Sequence, residues 1–341
     1  MLPTIVVFAG DPAGIGAELV AKVLADRNAM PPAHLRLIAH RRSFDAGKRA
    51  ANAALDVPLA TTARGAGDTP TVARVAWDGW DAPDFERGVA GAANGAYMLS
   101  ALRFALDITQ RGEADAICFA PLNKAALRAG GMAEEDELRW FAGVLHHDGP
   151  CGEFNVLENL WTSRVTSHVP LSHVAGLLTA EGVAEAVEML HTALRRAGNA
   201  APRLGVCGFN PHNGDNGNFG REEIDIIAPG VALAASRGFA AEGPYSADTI
   251  FVRAKNGAFD GVVTMYHDQG QIAMKLMGFE RGVTVQGGLP VPITTPAHGT
   301  AYDIAGRGIA NPQALVNALS IAARMGAGRD GDHGRHSDDL R

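Results

Sequence analysis

Three histidines sit where a chain usually turns out of a core: His168 in Thr-Ser-His-Val-Pro, His212 in Asn-Pro-His-Asn and His267 in Tyr-His-Asp-Gln. Each follows a short apolar or strand-like run. Imidazole ligates Zn, Co, Ni or Fe, and three such ligands leave coordination positions open for a substrate. A single loop histidine is more often just hydrogen-bonded, and spacing alone leaves metal ligation and ordinary loop packing evenly matched. Asp268 follows His267 directly and Asp248 stands in Ser-Ala-Asp-Thr. Either carboxylate can orient a histidine or hold a substrate hydroxyl, although aspartate is also a common turn residue. Lys275 and Arg281 are candidate anion binders.

A second constellation is the loop His298-Gly-Thr-Ala-Tyr-Asp-Ile-Ala-Gly-Arg-Gly-Ile-Ala-Asn-Pro312. Its small residues let a ligand approach the backbone closely; as a structural loop it would simply lead into a helix. The first apolar run ends in Gly-Asp-Pro-Ala-Gly-Ile-Gly, which is not the Gly-x-Gly-x-x-Gly dinucleotide fingerprint.

The elements that must hold these groups alternate between strand-like and helix-like, which predicts an α/β fold. Apolar runs at 4–9, 35–39, 116–120, 204–209 and 261–265 read as strands. Residues 97–110 read as a helix, Thr179 as the N-cap of another that Gly198 closes, and Asn311-Pro312 as the opening of the last. Residues 126–160 mix acids, aromatics and Gly-Pro and resist assignment. The 341 residues suggest two domains or one large unit, and 47% hydrophobic against 20% charged residues is the balance of a chain with a core. With 30 basic against 37 acidic residues, a net charge of −7 and no basic block, neither a nucleic-acid partner nor a membrane partner is expected. The first residues lack the basic flank and apolar length of a signal peptide or span. Three scattered cysteines, Cys118, Cys151 and Cys207, read as reduced thiols of a cytoplasmic protein, with Cys151 in a Gly-Pro-Cys-Gly turn the one candidate for reactivity. Residues 329–341 read as a disordered tail.

Five motifs, in order along the chain, resemble 4-hydroxythreonine-4-phosphate dehydrogenase: Gly10-Asp-Pro-Ala-Gly-Ile-Gly16, Ala120-Pro-Leu-Asn-Lys124, Asn210-Pro-His212, Met265-Tyr-His-Asp-Gln-Gly270 and His298-Gly-Thr-Ala301. The resemblance implies the isocitrate/isopropylmalate dehydrogenase-like α/β/α fold, two domains with a cleft between them. Residues 1–125 with 290–328 would form the nucleotide-binding domain, and 126–289 the metal, substrate and dimerisation domain. It implies a homodimer with a site shared between subunits, in which His168, His212 and His267 hold a divalent ion (Zn, Co, Ni, Mn or Mg), two from one chain and the third from its partner. Asp248, Asp268 and Lys275 match catalytic positions. In the loop, His298, Gly299, Thr300, Ala301, Asp303, Ile304 and Asn311 match cofactor-binding positions. The Asp303-Ile304 pair belongs to NAD users, since a carboxylate accepts hydrogen bonds from ribose hydroxyls and repels a 2′-phosphate. The implied reaction is oxidation of a small hydroxy acid, with or without subsequent decarboxylation.

The chain departs from the family where the family reads a phosphate. The family's Gly-His-Thr-Glu aligns with Glu134–Glu137, so that Glu135 and Asp136 replace His and Thr. Thr284 stands for an Asn and Ile293 for an Arg, while Lys275 is kept. A phosphate dianion wants Arg, Lys or donors, and two carboxylates in their place would cost of order several kcal/mol. A non-phosphorylated hydroxy acid is therefore expected. The alternatives are an authentic 4-phosphohydroxythreonine or phosphorylated sugar-acid dehydrogenase, a dihydrodiol carboxylate dehydrogenase, a metal-dependent decarboxylase, or a non-catalytic ligand-binding paralogue.

Overall fold

The run Thr4–Phe8 is buried at every position, as a strand covered on both faces must be. The structure, a computed structural model, describes residues 1–328; the expected tail at 329–341 lies outside the described residues. Strands and helices are numbered in chain order, and the chain divides into two compact units.

The first unit comprises Met1–Asp148 and the chain from Leu289 onward. Its elements are β1 (Thr4–Phe8), α1 (Gly16–Ala25), β2 (His34–Ile38), α2 (Arg41–Ala50), β3 (Val72–Arg74), α3 (Ala92–Gln110), β4 (Ala116–Phe119), α4 (Lys124–Ala129), α5 (Glu137–Val144) and, on the return, β11 (Ile293–Pro296) and α11 (Gln313–Ala327). The strands lie in the order β3-β2-β1-β4-β11, every pairing parallel. Gly10 ends β1 with φ +74, and a Cβ there would fall 2.5 Å from the Ala120 carbonyl; only glycine fits a turn that close. The expected domain boundary at 125/126 falls later, because α5 stays with this unit. Its Phe141 packs on Phe119 of β4 (5.9 Å between centroids), and Trp140 lies under the Arg103 guanidinium of α3.

The second unit, Gly149–Gly288, holds β5 (Gly152–Leu157), β6 (Leu160–Arg164), α6 (Leu171–Leu177), α7 (Ala180–Arg196), β7 (Leu204–Cys207), α8 (Ala228–Ser236), β8 (Glu242–Tyr245), α9 (Ala247–Lys255), β9 (Gly261–Thr264), α10 (His267–Gly278) and β10 (Val283–Gly287). Here the order is β10-β5-β6-β9-β7-β8. The β10–β5 and β5–β6 pairings are antiparallel and the remaining three parallel. Side chains alternate across a strand, and the sheet is covered on both faces. Gln271 of α10 reaches Asn155 on one face, while Ser163 on the other donates to the Ala186 carbonyl of α7. Thr179 caps α7 as expected, its Oγ1 accepting from the Gly182 N–H at 3.0 Å. Among the described residues no helix is long and apolar enough to cross a membrane.

Candidate functional site

Four neighbouring parallel strands of the second unit, β6-β9-β7-β8, end on the same side. His168 stands four residues past β6, His267 three past β9, His212 five past β7 and Asp248 three past β8. The carboxyl ends of parallel strands are where α/β proteins gather ligands, since the chain leaves the sheet there and its polar groups are unspent. The rings of His168 and His267 lie side by side, centroids 5.6 Å apart. With metal–nitrogen bonds of about 2.1 Å, two rings on one tetrahedral ion would have centroids roughly 5 Å apart, so this pair fits a shared cation. His267 Nδ1 donates to Asp268 Oδ1 at 2.7 Å, which fixes the tautomer and leaves Nε2 with its lone pair outward. His212 is exposed, and its ring packs against Phe219. Among the described residues no group of three His, Cys, Asp or Glu side chains is gathered tightly enough to hold a metal.

Polar clamps tie these strand ends together. Gln269 accepts from the Met265 N–H (2.7 Å) and donates to the Gly208 carbonyl (2.8 Å), joining the exits of β9 and β7. Thr166 donates through both N–H and Oγ1 to the Met265 carbonyl, joining β6 to β9. Arg164, with its side chain 6% exposed, donates to Glu153 (2.7 Å), Asn155 (2.9 Å) and Ser167 (3.0 Å), fixing the turn before His168. His212 opens a run of six consecutive residues with positive φ, 212–217. Asn, Gly and Asp take this left-handed form readily, whereas His212 is strained by about 1–3 kcal/mol. Glu223, 3% exposed, anchors the start of the turn by accepting from the Phe209 and Asn210 N–H groups and the Asn210 amide. Burial pushes the Glu223 pKa up, but these donors outweigh it and hold the carboxyl below its ordinary value.

In the first unit, the loop 298–312 is pinned at both ends. Thr300 is buried and its carbonyl accepts from the Ile15 N–H; Ala301 is left-handed (φ 42). Tyr302 donates to Asp11 at 2.5 Å, and Asp11, wholly buried, also accepts from the Ala13 N–H and Asn94. Burial, then the bond to Asp11 and that carboxylate's charge, raise the Tyr302 pKa. At the far end Glu18 accepts from the Gly308 and Ala310 N–H groups, and Lys22 donates to both their carbonyls and to Glu18. Asp303 and Asn311 are left exposed, Ile304 and His298 half-buried. The His298 Nδ1 donates to the Gly299 carbonyl at 3.1 Å.

Two of the positions matched to phosphate reading, Asp136 and Ile293, do other work in this chain. Asp136 is buried as the N-cap of α5 and accepts from the Arg139 N–H at 2.9 Å. Ile293 is 0% exposed and pairs with Ile117 inside the sheet, leaving its side chain no surface for a substrate. Glu135 is exposed and Thr284 half-buried on β10. Lys275 is exposed on α10, seven residues from Asp268 and thus on the same helix face. Sequence reasoning assigned no role to Asp11, Glu18, Lys22, Arg164, Glu223 or Gln269. Asp11 and Gln269 stand inside two of the five motifs and Glu18 and Lys22 form an i,i+4 charge pair on an otherwise apolar helix, whereas Arg164 and Glu223 carried no signal.

Comparison with known proteins agrees with this architecture. A Pseudomonas aeruginosa protein, provisionally named 4-hydroxythreonine-4-phosphate dehydrogenase 2, is 54% identical over 330 residues, covering 95% of this chain and 97% of that one. The crystal structure of a 4-hydroxythreonine-4-phosphate dehydrogenase from Burkholderia phymatum superposes with a TM-score of 0.81 at 35% identity, covering 95% and 98% of the two chains. That of a terephthalate 1,2-cis-dihydrodiol dehydrogenase from Burkholderia xenovorans gives 0.67 at 26%, covering 94% and 98%. The fold is thus the one the motifs implied, and the model of the pyridoxal phosphate biosynthetic protein PdxA matches residues 21–322: the chain belongs to the PdxA family.

Proposed function

We propose that this chain is a dehydrogenase of a small, non-phosphorylated hydroxy acid that requires NAD and a divalent cation and works in the cytoplasm as a homodimer. The observation that carries the reading is the side-by-side pair His168 and His267, with His212 following β7, the strand next to β9 in the same parallel set. A bound cation would supply Lewis acidity toward the substrate hydroxyl and NAD would accept the hydride. Asp268 spends one oxygen on His267, holding that ring for ligation. Asp248 is then the carboxylate left to hold the substrate hydroxyl and receive its proton, while Lys275 binds the acid group. In the other unit, Asp303 would accept from the ribose hydroxyls, beside Ile304, His298, Gly299, Thr300, Ala301 and Asn311. A third ligand from a partner subunit would complete the cation site. The neighbouring exposed side chains Ile272 (59%) and Leu276 (84%), one turn apart on α10, offer apolar surface for such pairing.

The substrate reading rests on charge. Of the positions matched to phosphate recognition, Lys275 alone is cationic; Glu135 and Asp136 are acids, Thr284 offers one hydroxyl and Ile293 none. The dihydrodiol dehydrogenase among the similar structures favours a carboxylated diol. The second reading, a phosphorylated 4-hydroxythreonine, is favoured by the name of the 54%-identical relative. NADH formation, followed across hydroxy acids and their 4-phosphates with several divalent cations, decides between them. Turnover of a carboxylated diol or hydroxy acid, abolished by His168→Ala or His267→Ala, is expected. Preference for 4-phosphohydroxythreonine would overturn the substrate assignment, and NADH from none of the compounds would overturn the dehydrogenase itself.

A further inference from the structure

The first unit contains a cavity of about 150 Å³ walled by Gly14, Glu18, His40, Arg42, Arg87 and Gly306. Whole-ligand pockets run to roughly 300–1,000 Å³, so this one suits a single group of a larger molecule. Two of its walls belong to the loop 298–312 or touch it. Gly306 lies within that loop, and Gly14 packs on Thr300, where a Cβ at 14 would sit 3.0 Å from the Thr300 carbonyl oxygen.

Four charged side chains line the cavity, Glu18, Arg42, Asp84 and Arg87, and all but Arg87 are spent on partners. Glu18 is fully engaged with Lys22 and two N–H groups. Arg42 is paired with Asp84. His40 donates through Nε2 to the Ala82 carbonyl and accepts at Nδ1 from Ser43, so both its nitrogens are spent. Arg87 has no hydrogen bond or ion pair among the described residues. Its guanidinium lies on the face of Gly306, where a Cβ would fall 2.4 Å from Nη1; with φ +77, position 306 admits only glycine, and the space that glycine opens is filled by Arg87. The N-terminus of α2, capped by His40, opens on the same space and favours an anion there.

We propose that this cavity receives a phosphate of the dinucleotide's diphosphate, with Arg87 as its cation. The inference rests on reading 298–311 as the nucleotide loop. A guanidinium presents paired N–H donors that match phosphate oxygens, and an unpaired arginine held against the loop's own backbone is ready to do so without rearrangement.

Calorimetric titration of the full chain with ADP and with adenosine tests it, because the two share base and ribose and differ in the diphosphate. The parent should bind ADP more tightly than adenosine. Arg87→Met should weaken ADP about tenfold, a typical loss for one charge-assisted contact, and leave adenosine unchanged. Arg87→Lys, which keeps charge without the fork, should fall between. Arg87 supports no other side chain, so the melting temperature should not move. If Arg87→Met keeps the full preference for ADP, the proposal is overturned while the nucleotide loop stands. If the parent binds neither ADP nor NADH, both fall together.

Discussion

Replacing Glu18 by alanine tests whether the loop 298–312 is held by a buried ion pair. Glu18 is 2% exposed and Lys22 20%. Together they close four contacts onto two residues of the loop: the N–H groups of Gly308 (3.2 Å) and Ala310 (2.9 Å) on the acid, and the carbonyls of the same residues (2.9 and 2.6 Å) on the amine. The alanine variant keeps the lysine's carbonyl acceptors but strips its counter-charge and orphans two N–H donors. Breaking a buried pair by removing one partner costs about 3–5 kcal/mol. The partial exposure of Lys22 puts the expected loss near the lower end, about 3 kcal/mol, in urea unfolding at constant slope. Glu18→Gln keeps an acceptor and should lose about half as much, since hydrogen bonds to charged groups are roughly twice as strong as neutral ones. In hydrogen exchange the Gly308 and Ala310 amides should lose protection first, ahead of global unfolding. A double-mutant cycle with Lys22→Met should return a coupling of about 1–3 kcal/mol. A Glu18→Ala protein within about 0.5 kcal/mol of the parent, or a cycle that closes at zero, would refute the argument.

Arg164→Met should cost about 3 kcal/mol by leaving Glu153 unpaired, and should weaken Zn binding about 10–100-fold because the turn before His168 loosens; unchanged Zn affinity in a calorimetric titration would show that Arg164 does not position that histidine. A thiol reagent should modify one cysteine of the native protein, the half-buried Cys151, and three after unfolding, since Cys118 and Cys207 are buried and desolvation pushes the Cys118 thiol up to about 12 and Cys207 likewise upward. Stability should be level between about pH 8 and 9 and fall above that. The unfolded thiols and phenols ionise from pH 9 and 10, whereas burial keeps Cys118, Cys207, Tyr97 and Tyr302 protonated in the native state. Each buried thiol contributes about 1.4 kcal/mol per pH unit to that fall, and a Cys118→Ala/Cys207→Ala protein with the same alkaline slope would contradict it.

The sequence by itself determined what depends on neighbours along the chain. Apolar runs marked β1, β2, β4, β7 and β9 to within a residue or two, because a parallel strand buried on both faces is apolar at most of its positions. Thr179 announced a helix start, because a hydroxyl that accepts from the third N–H needs only local geometry. The three histidines stood out because each follows such a strand. Residues 126–160 stayed opaque, since α5 opens on the acidic cap Asp136 and the antiparallel β5–β6 hairpin mixes polar and apolar positions.

Which strands pair was decided only by the tertiary structure. Periodicity reveals a buried face but not the partner that covers it; that choice is made by long-range hydrogen bonding and packing. β9 inserts between β6 and β7, and Thr166 thereby meets Met265, 99 residues away, drawing His168 beside His267. The same long-range closure sets Ala310 on Glu18 across 292 residues, turns Asp136 and Ile293 inward to a helix cap and a sheet core, and leaves Arg87 against Gly306 without a counter-charge. Residue types supplied the chemistry, and the folded strand order decided which of them share a neighbourhood.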